Sequence, residues 1–226
     1  DVRQRVVAAL ERITFLLVPS TIAYLTLGDV IVAGLLQRGD FRGADTVAVY
    51  AVLAAYALGV TASAGSRVLS SAFYALRDAR TPARVAYLRV VVSAVVGVIL
   101  MIPLDRAGFG GLRLGAVGLA LGASVGAWLE NSLLHHRLRA AIGPHRPTSE
   151  LWSRLVGAGL VAAVVGIAAK TVLGSVVPLR IGLIARLIGP ESPLVWPLVM
   201  AGTALAFGVT YLAVTSALGV GVSLSK

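Results

Sequence analysis

The chain has 226 residues, and its composition excludes most classes of soluble protein. Hydrophobic residues make up 58% and charged residues 13%, with a mean hydropathy of +0.89, whereas soluble domains contain about 45–50% apolar residues. The net charge is +10, but the basic residues are spread over short segments between apolar runs, which favours a membrane and not nucleic acid as the partner. Because the chain contains no cysteine, disulfides are excluded.

Six apolar runs are long enough to cross a bilayer, which takes about 20 helical residues. In chain order they cover residues 13–36, 47–73, 85–104, 112–134, 155–177 and 194–222. Backbone polar groups in lipid must be satisfied within the element, and the alternation of period two that marks barrel strands is absent. We therefore predict an all-α, polytopic membrane protein with six transmembrane helices and with membrane lipids as its surroundings.

Two connections differ from the short turns between the other runs. Residues 135–154 form the longest polar segment, which we expect to be a loop because Pro144 and Pro147 break helices. Residues 178–189 place leucines on one face and Arg180 and Arg186 elsewhere, which predicts a short amphipathic segment lying in the membrane interface. Since the chain begins at Asp1 and not at Met, we also expect it to be part of a longer protein.

The distribution of basic residues predicts the orientation in the membrane. Eleven fall on one side and six on the other: Arg3, Arg5, Arg12, Arg77, Arg80, Arg84, Arg137, Arg139, Arg146, Arg154 and Lys226, against Arg38, Arg42, Arg106, Arg113, Arg180 and Arg186. The positive-inside rule places the first set, and with it both ends of the chain, in the cytoplasm.

No motif for chemistry on a substrate is present. The three histidines, His135, His136 and His145, fall in the predicted loop without cysteine partners, and we expect them to be solvated. No serine has a matching buried His and Asp, so a hydrolase triad has no support. We predict that the protein is not an enzyme, has no catalytic residue, and binds no metal and no cofactor.

Charged residues inside the apolar runs are the candidate functional residues, because each costs roughly 2.5–3.5 kcal/mol or more in lipid. For Arg67 and Arg89, contact with an anionic headgroup and snorkelling to the interface both remain open, and snorkelling is favoured for Arg89. Asp29 either pairs with a cation or titrates at the interface, whereas Lys170 is predicted to snorkel. Glu130 is predicted to pair with Arg137 or with a neighbouring helix.

Three glycines on the fourth run predict a close helix contact. Gly118, Gly122 and Gly126 repeat at intervals of four residues, a spacing that lets two helix backbones approach. In a chain with several helices, we expect this helix packing to be intramolecular.

Several motifs follow one another along the first four runs: LQRGDF (36–41), AAYALG (54–59), RVLSSAFYALRDARTP (67–82), GLAL (118–121) with Ser124, Trp128 and Leu133–Leu134, and Pro19 in the first run. Together they resemble one family, the MurJ/MviN-type lipid II flippases of the multidrug/oligosaccharidyl-lipid/polysaccharide exporter superfamily. The first four runs carry this resemblance, and the last two agree only in number and hydropathy. The alignment implies helices nine to fourteen of the family.

The resemblance implies a role in the bacterial inner membrane, in peptidoglycan and cell-wall synthesis and hence cell shape. The implied substrate is a lipid of the undecaprenyl pyrophosphate type, moved from the inner to the outer leaflet by alternating access. Arg67 and Arg89 are then candidate substrate contacts. Ser93 occupies a position where some relatives have Asn or Asp at a cation site, so such a site is doubtful here.

The same resemblance implies a division of the chain. Residues 1–147 correspond to the last four helices of the second transporter lobe, and residues 148–226 to two additional C-terminal helices with the interfacial segment. Since the N-terminal transporter helices are missing partners, we expect the isolated chain to be inactive. Two alternatives remain: another polysaccharide-lipid or drug exporter of the superfamily, and a membrane scaffold that transports nothing.

Overall fold

A computed structural model describes residues 2–41, 43–108, 113–144, 149–177 and 182–220. Within these ranges the chain forms seven helices: α1 (Val2–Leu36), α2 (Gly43–Ala75), α3 (Arg80–Ala107), α4 (Gly115–Ile142), α5 (Ser149–Leu173), α6 (Leu183–Ile188) and α7 (Val195–Ala217). All except α6 are long and apolar enough to cross a membrane. The predicted all-α fold with six spans is confirmed.

The first three long helices extend beyond the apolar runs that predicted them, α4 and α5 each extend beyond their runs at one end, and α7 lies within its run. The six long helices contain 23–35 residues, and at about 1.5 Å per residue all of them exceed the roughly 30 Å of a hydrocarbon core. The predicted loop at residues 135–154 is therefore wrong at both ends, because α5 already begins at Ser149 and α4 continues to Ile142, where Gly143, with φ 79°, follows it. Leu138 is fully buried and accounts for this extension. His135 and His136 accordingly lie on α4, whereas His145 lies outside the described residues.

The chain divides into two compact units, which we describe separately. The first unit contains Asp1–Leu17 and Ala55–Trp152, and the second contains Val18–Ala54 and Ser153–Lys226. The boundary within α1 falls beside Pro19, whose ring removes one backbone donor from the helix interior. The division at residues 147 and 148, which lie outside the described residues, stays a prediction.

One end of the first unit is held by a cluster of buried apolar side chains. Leu10 of α1, Leu69 and Phe73 of α2, Val85 of α3 and Leu134 of α4 belong to it. Arg3 Nε also donates to the Pro144 carbonyl oxygen at 2.8 Å. These contacts fix the start of α1 against α2, α3 and α4.

The turn between α2 and α3 is tight. Arg77 adopts φ 60°, a left-handed conformation that is uncommon without glycine. Asp78 Oδ1 accepts hydrogen bonds from the backbone nitrogens of Arg80 and Thr81 at 3.1 and 3.0 Å. The connection is short, because α3 already begins at Arg80 and Pro82 is accommodated in its first turn.

In the second unit, the short helix α6 packs against α7. Leu183, Arg186 and Leu187 of α6 are exposed. The predicted amphipathic segment thus contains a helix at residues 183–188, whereas residues 178–181, with Leu179 and Arg180, lie outside the described residues. Its location in the membrane interface stays a prediction.

Candidate functional site

The α3–α4 contact of the first unit is built on glycine. A Cβ added to Gly118 would lie 2.5 Å from the Met101 backbone nitrogen, and one on Gly122 would lie 2.5 Å from Gly97 Cα. A Cβ on Gly126 would lie 3.0 Å from the Arg89 carbonyl oxygen and would collide with Ser93 Oγ. The three predicted packing glycines therefore lie on the face of α4 that contacts α3 within the same chain.

This close contact brings Arg89 of α3 to Glu130 of α4. Arg89 Nη1 donates to Glu130 Oε2 at 2.7 Å, and Nη2 reaches Ser63 Oγ of α2 at 3.5 Å. The Glu130 side chain is 8% exposed and the Arg89 side chain 33% exposed. Arg89, for which headgroup contact and snorkelling were both open, has a carboxylate partner in the structure. Of the two partners left open for Glu130, the structure provides the neighbouring helix.

Arg67, the other candidate substrate contact, is not part of this cluster. It lies on α2, and its side chain is exposed. Within the part of the chain that the structure describes, it makes no hydrogen bond or ion pair. The structure therefore does not bring the two predicted arginines to one shared partner.

Ser93 follows Arg89 by one turn of α3. Its Oγ is buried against Gly126 and has no hydrogen-bond partner among the described residues. Gly97, one turn further on, contributes only backbone to the α3–α4 contact. No group of three His, Cys, Asp or Glu side chains that could hold a metal ion occurs in the described ranges.

A small cavity of about 60 Å³ lies within the first unit, with a mainly apolar lining that also includes the polar side chains of Thr14, Thr61, Asn131 and His135. Asn131 Oδ1 is buried without a described partner, and a Cβ on Gly65 would lie 2.8 Å from it. The cavity exceeds the roughly 10–15 Å³ that one water needs. Sequence reasoning missed this cavity, although the adjacent polar pair Glu130 and Asn131 within an apolar run was a signal.

The second unit contains a different buried ion pair. Lys170 Nζ of α5 donates to Asp29 Oδ1 of α1 at 2.9 Å and to the Thr26 carbonyl oxygen at 3.1 Å. Asp29 Oδ2 accepts the backbone N–H of Val177 at 3.1 Å. The side chains are 9% and 0% exposed, so the prediction that Lys170 snorkels is wrong. Of the two possibilities left open for Asp29, pairing with a cation is correct.

Both ion pairs make the charge on their helices compatible with a membrane. Each pair joins a cation and an anion on different helices, so none of the four helices involved keeps an unpaired charge at these positions. Six apolar helices, four of which carry a charge paired with one on another helix, define a multi-pass helical membrane protein. The family model of lipid II flippase MurJ matches residues 1–178. The chain belongs to this family.

Individual relatives agree with the family match. The chain is 34% identical over 157 residues to the lipid II flippase MurJ of Burkholderia cenocepacia, which covers 67% of the chain and 28% of that protein. It is 31% identical over 121 residues to a probable lipid II flippase MurJ of Rhizobium tropici, covering 54% of the chain and 21% of that protein. The chain thus spans about a quarter of these relatives.

A solved structure supports the fold. A lipid II flippase MurJ in an inward closed conformation matches with a TM-score of 0.63 and 17% sequence identity. The match covers 96% of this chain and 42% of that protein. The likeness therefore extends over almost the whole chain, including the last helices, and establishes the membrane fold.

Proposed function

We propose that the protein to which this chain belongs is a transporter, not an enzyme, that moves the lipid-linked peptidoglycan precursor lipid II from the inner to the outer leaflet. The observation that carries the proposal is the family match over residues 1–178. The relatives named lipid II flippase support it. Paired charges inside the spans are also suited to a protein with a polar pathway through the membrane.

In this proposal, the chain supplies part of the transport pathway. Residues 1–147 form the last four helices of the second lobe, and residues 148–226 form the two additional helices. Alternating access moves this lobe against the missing one. The positive-inside distribution supports an orientation with both ends in the cytoplasm.

Arg67 and Arg89 are the proposed contacts for the pyrophosphate of the substrate. A guanidinium suits phosphate oxygens because it presents several N–H donors in a fixed plane. The exposure of Arg67 and the partial exposure of Arg89 support this role. Ser93 could offer a cation only a single hydroxyl oxygen, which gives a cation site at this position little support.

Complementation tests the proposal. In a bacterium depleted of its own lipid II flippase, the full-length protein is expected to restore growth and normal cell shape. Failure of a correctly inserted full-length protein to restore growth would contradict a lipid II flippase and favour another exporter. The chain 1–226 alone is expected not to restore growth, because half of the pathway is missing.

The arginine assignments are tested in the same assay. Arg67→Ala is expected to lower lipid II translocation at least tenfold. Arg137→Ala is the matched control, since Arg137 is another exposed arginine of the first unit with no contact in the described part of the chain. Equal losses of translocation in the two variants would favour snorkelling of Arg67 over contact with the substrate.

A further inference from the structure

The guanidinium of Arg89 is only partly used by its partners. It has five N–H donors, but the described contacts are one short bond to Glu130 at 2.7 Å and one long contact to Ser63 at 3.5 Å. Bidentate pairing with the carboxylate would use two parallel bonds. Arg89 therefore keeps donors free for a second anion.

The two partners are not equally accessible. Glu130 is 8% exposed and Arg89 is 33% exposed. An anion that approaches the first unit at this point meets the guanidinium before it meets the carboxylate. The backbone of Arg89 is also held in place, because Gly126 of α4 packs against its carbonyl oxygen. Only the outer part of the arginine side chain is free to adjust.

We propose that Glu130 is a positioning residue that aims Arg89 at a phosphate-bearing lipid and at the same time weakens that complex. Its short bond holds the guanidinium in one orientation and makes the empty site electrically neutral. A phosphate group then binds the free N–H donors, close to the buried carboxylate, and the repulsion between the two anions shortens the life of the complex. A transporter needs such weakening, because a substrate that binds too tightly is not released.

This inference rests on the proposed function, since it requires an anionic lipid substrate. The substitution Glu130→Gln removes the negative charge but keeps an oxygen that can accept the bond from Arg89. We expect Glu130→Gln to bind the lipid about tenfold more tightly and to translocate it more slowly. A merely structural role would weaken binding and transport together.

The experiment measures binding of undecaprenyl pyrophosphate to the full-length protein in nanodiscs, with inorganic pyrophosphate and undecaprenol as further ligands. Arg89→Ala is expected to weaken binding of the pyrophosphate lipid about tenfold. In the Arg89→Ala background, Glu130→Gln is expected to give no gain in affinity. Tighter binding of the lipid than of inorganic pyrophosphate would identify the ligand as a lipid headgroup. Equal binding of the two would show that free pyrophosphate is sufficient for recognition and would overturn the lipid assignment.

Two further variants separate the possible causes. Glu130→Asp keeps the charge but shortens the reach to Arg89, and an affinity between those of wild type and Glu130→Gln is expected. Glu11→Gln removes a negative charge elsewhere in the first unit and is expected to change affinity less than twofold. Thermal unfolding of each variant shows whether it is folded.

The outcomes distinguish the inference from the proposed function. If the wild-type protein binds no pyrophosphate lipid, both are wrong. If the wild type binds it and Glu130→Gln gives unchanged or weaker binding, only the role of Glu130 is overturned. A gain that persists in the Arg89→Ala background would show a general effect of charge and would also overturn the role.

Discussion

The two intramembrane ion pairs differ in how completely their hydrogen-bonding groups are used. In the second unit, both carboxylate oxygens of Asp29 are occupied and Lys170 makes two bonds, with almost no exposure. In the first unit, Arg89 makes a single short bond to Glu130 and is one third exposed. A saturated pair stabilises one arrangement of helices, whereas an unsaturated pair can accept a further ligand. The same chemistry thus serves structure in one unit and is available for binding in the other.

Removing Lys170 from its pair with Asp29 is the strongest way to test this difference between the two ion pairs. Lys170→Met leaves the Asp29 carboxylate buried without its cation and is expected to lower the free energy of unfolding by about 3–5 kcal/mol. Thermal unfolding of the full-length protein in detergent measures the effect. The double variant Asp29→Leu/Lys170→Met is expected to recover much of the loss, because buried apolar side chains often replace an ion pair without cost. A loss below about 1 kcal/mol for Lys170→Met would contradict a saturated, structural pair.

The glycines beside the two pairs allow a second comparison. Gly126→Ala forces the new methyl group into Ser93 and the Arg89 carbonyl oxygen, and we expect a loss of about 1–3 kcal/mol from overpacking. Gly166→Ala, one turn from Lys170, meets the Leu27 Cδ1 methyl at 3.0 Å, the end of a side chain that can move. Its expected effect on thermal stability is smaller. If Gly166→Ala is the more damaging of the two, the α3–α4 contact is looser than the structure indicates.

Breaking the Arg89–Glu130 pair is expected to affect transport more than stability. Arg89→Ala removes a partly exposed cation but leaves Glu130, which is 8% exposed, without it, so we expect a loss of stability that is smaller than that of Lys170→Met because water can reach the vacated side. Lipid II translocation by the full-length protein is expected to fall at least tenfold. Unfolding and translocation are measured for both Arg89→Ala and Lys170→Met. Lys170→Met is expected to lose more stability, whereas Arg89→Ala is expected to lose more translocation relative to its loss of stability. Loss of transport in proportion to loss of stability in both variants would remove the distinction.

A partly exposed carboxylate in the turn between α2 and α3 gives the smallest expected effect. The pKa of Asp78 lies below its usual value because Thr81 donates hydrogen bonds to the carboxylate. The bond from the Thr81 side chain has the larger effect and the bond from its backbone the smaller one. Asp78 therefore contributes stability above its unfolded pKa of about 4, and this contribution is lost as the pH falls through the lower folded pKa. Asp78→Asn is expected to unfold at a slightly lower temperature at pH 7, with the difference vanishing in acid. A difference that grows in acid would contradict the assignment.

The sequence predicts the spans better than their ends or their partners. Apolar runs located all six long helices, because the bilayer requires about 20 apolar residues of each. The helix ends were missed where polar residues continue the helix, as between His135 and Ile142 of α4. Three glycines spaced by four predicted a close contact, but the partner helix α3 could not be read from their spacing.

The ion pairs show why side-chain partners are harder to predict. Arg89 and Glu130 are 41 residues apart, and Asp29 and Lys170 are 141 residues apart. Each charge alone is compatible with snorkelling, which depends only on its distance from the interface. Pairing depends on which helices are neighbours, and that information is not local. The resemblance of the first four runs identified the family, but it did not provide these contacts.

The separation between Asp29 and Lys170 also has a consequence for synthesis of the protein. At about 5–20 residues per second, the ribosome adds Lys170 roughly 7–28 seconds after Asp29, given the 141 residues between them. During this interval the carboxylate of α1 lacks both the Lys170 ammonium and the Val177 N–H that bond it in the folded protein. Insertion of α5 ends the interval, so α1 reaches its final surroundings only when translation has passed the fifth helix.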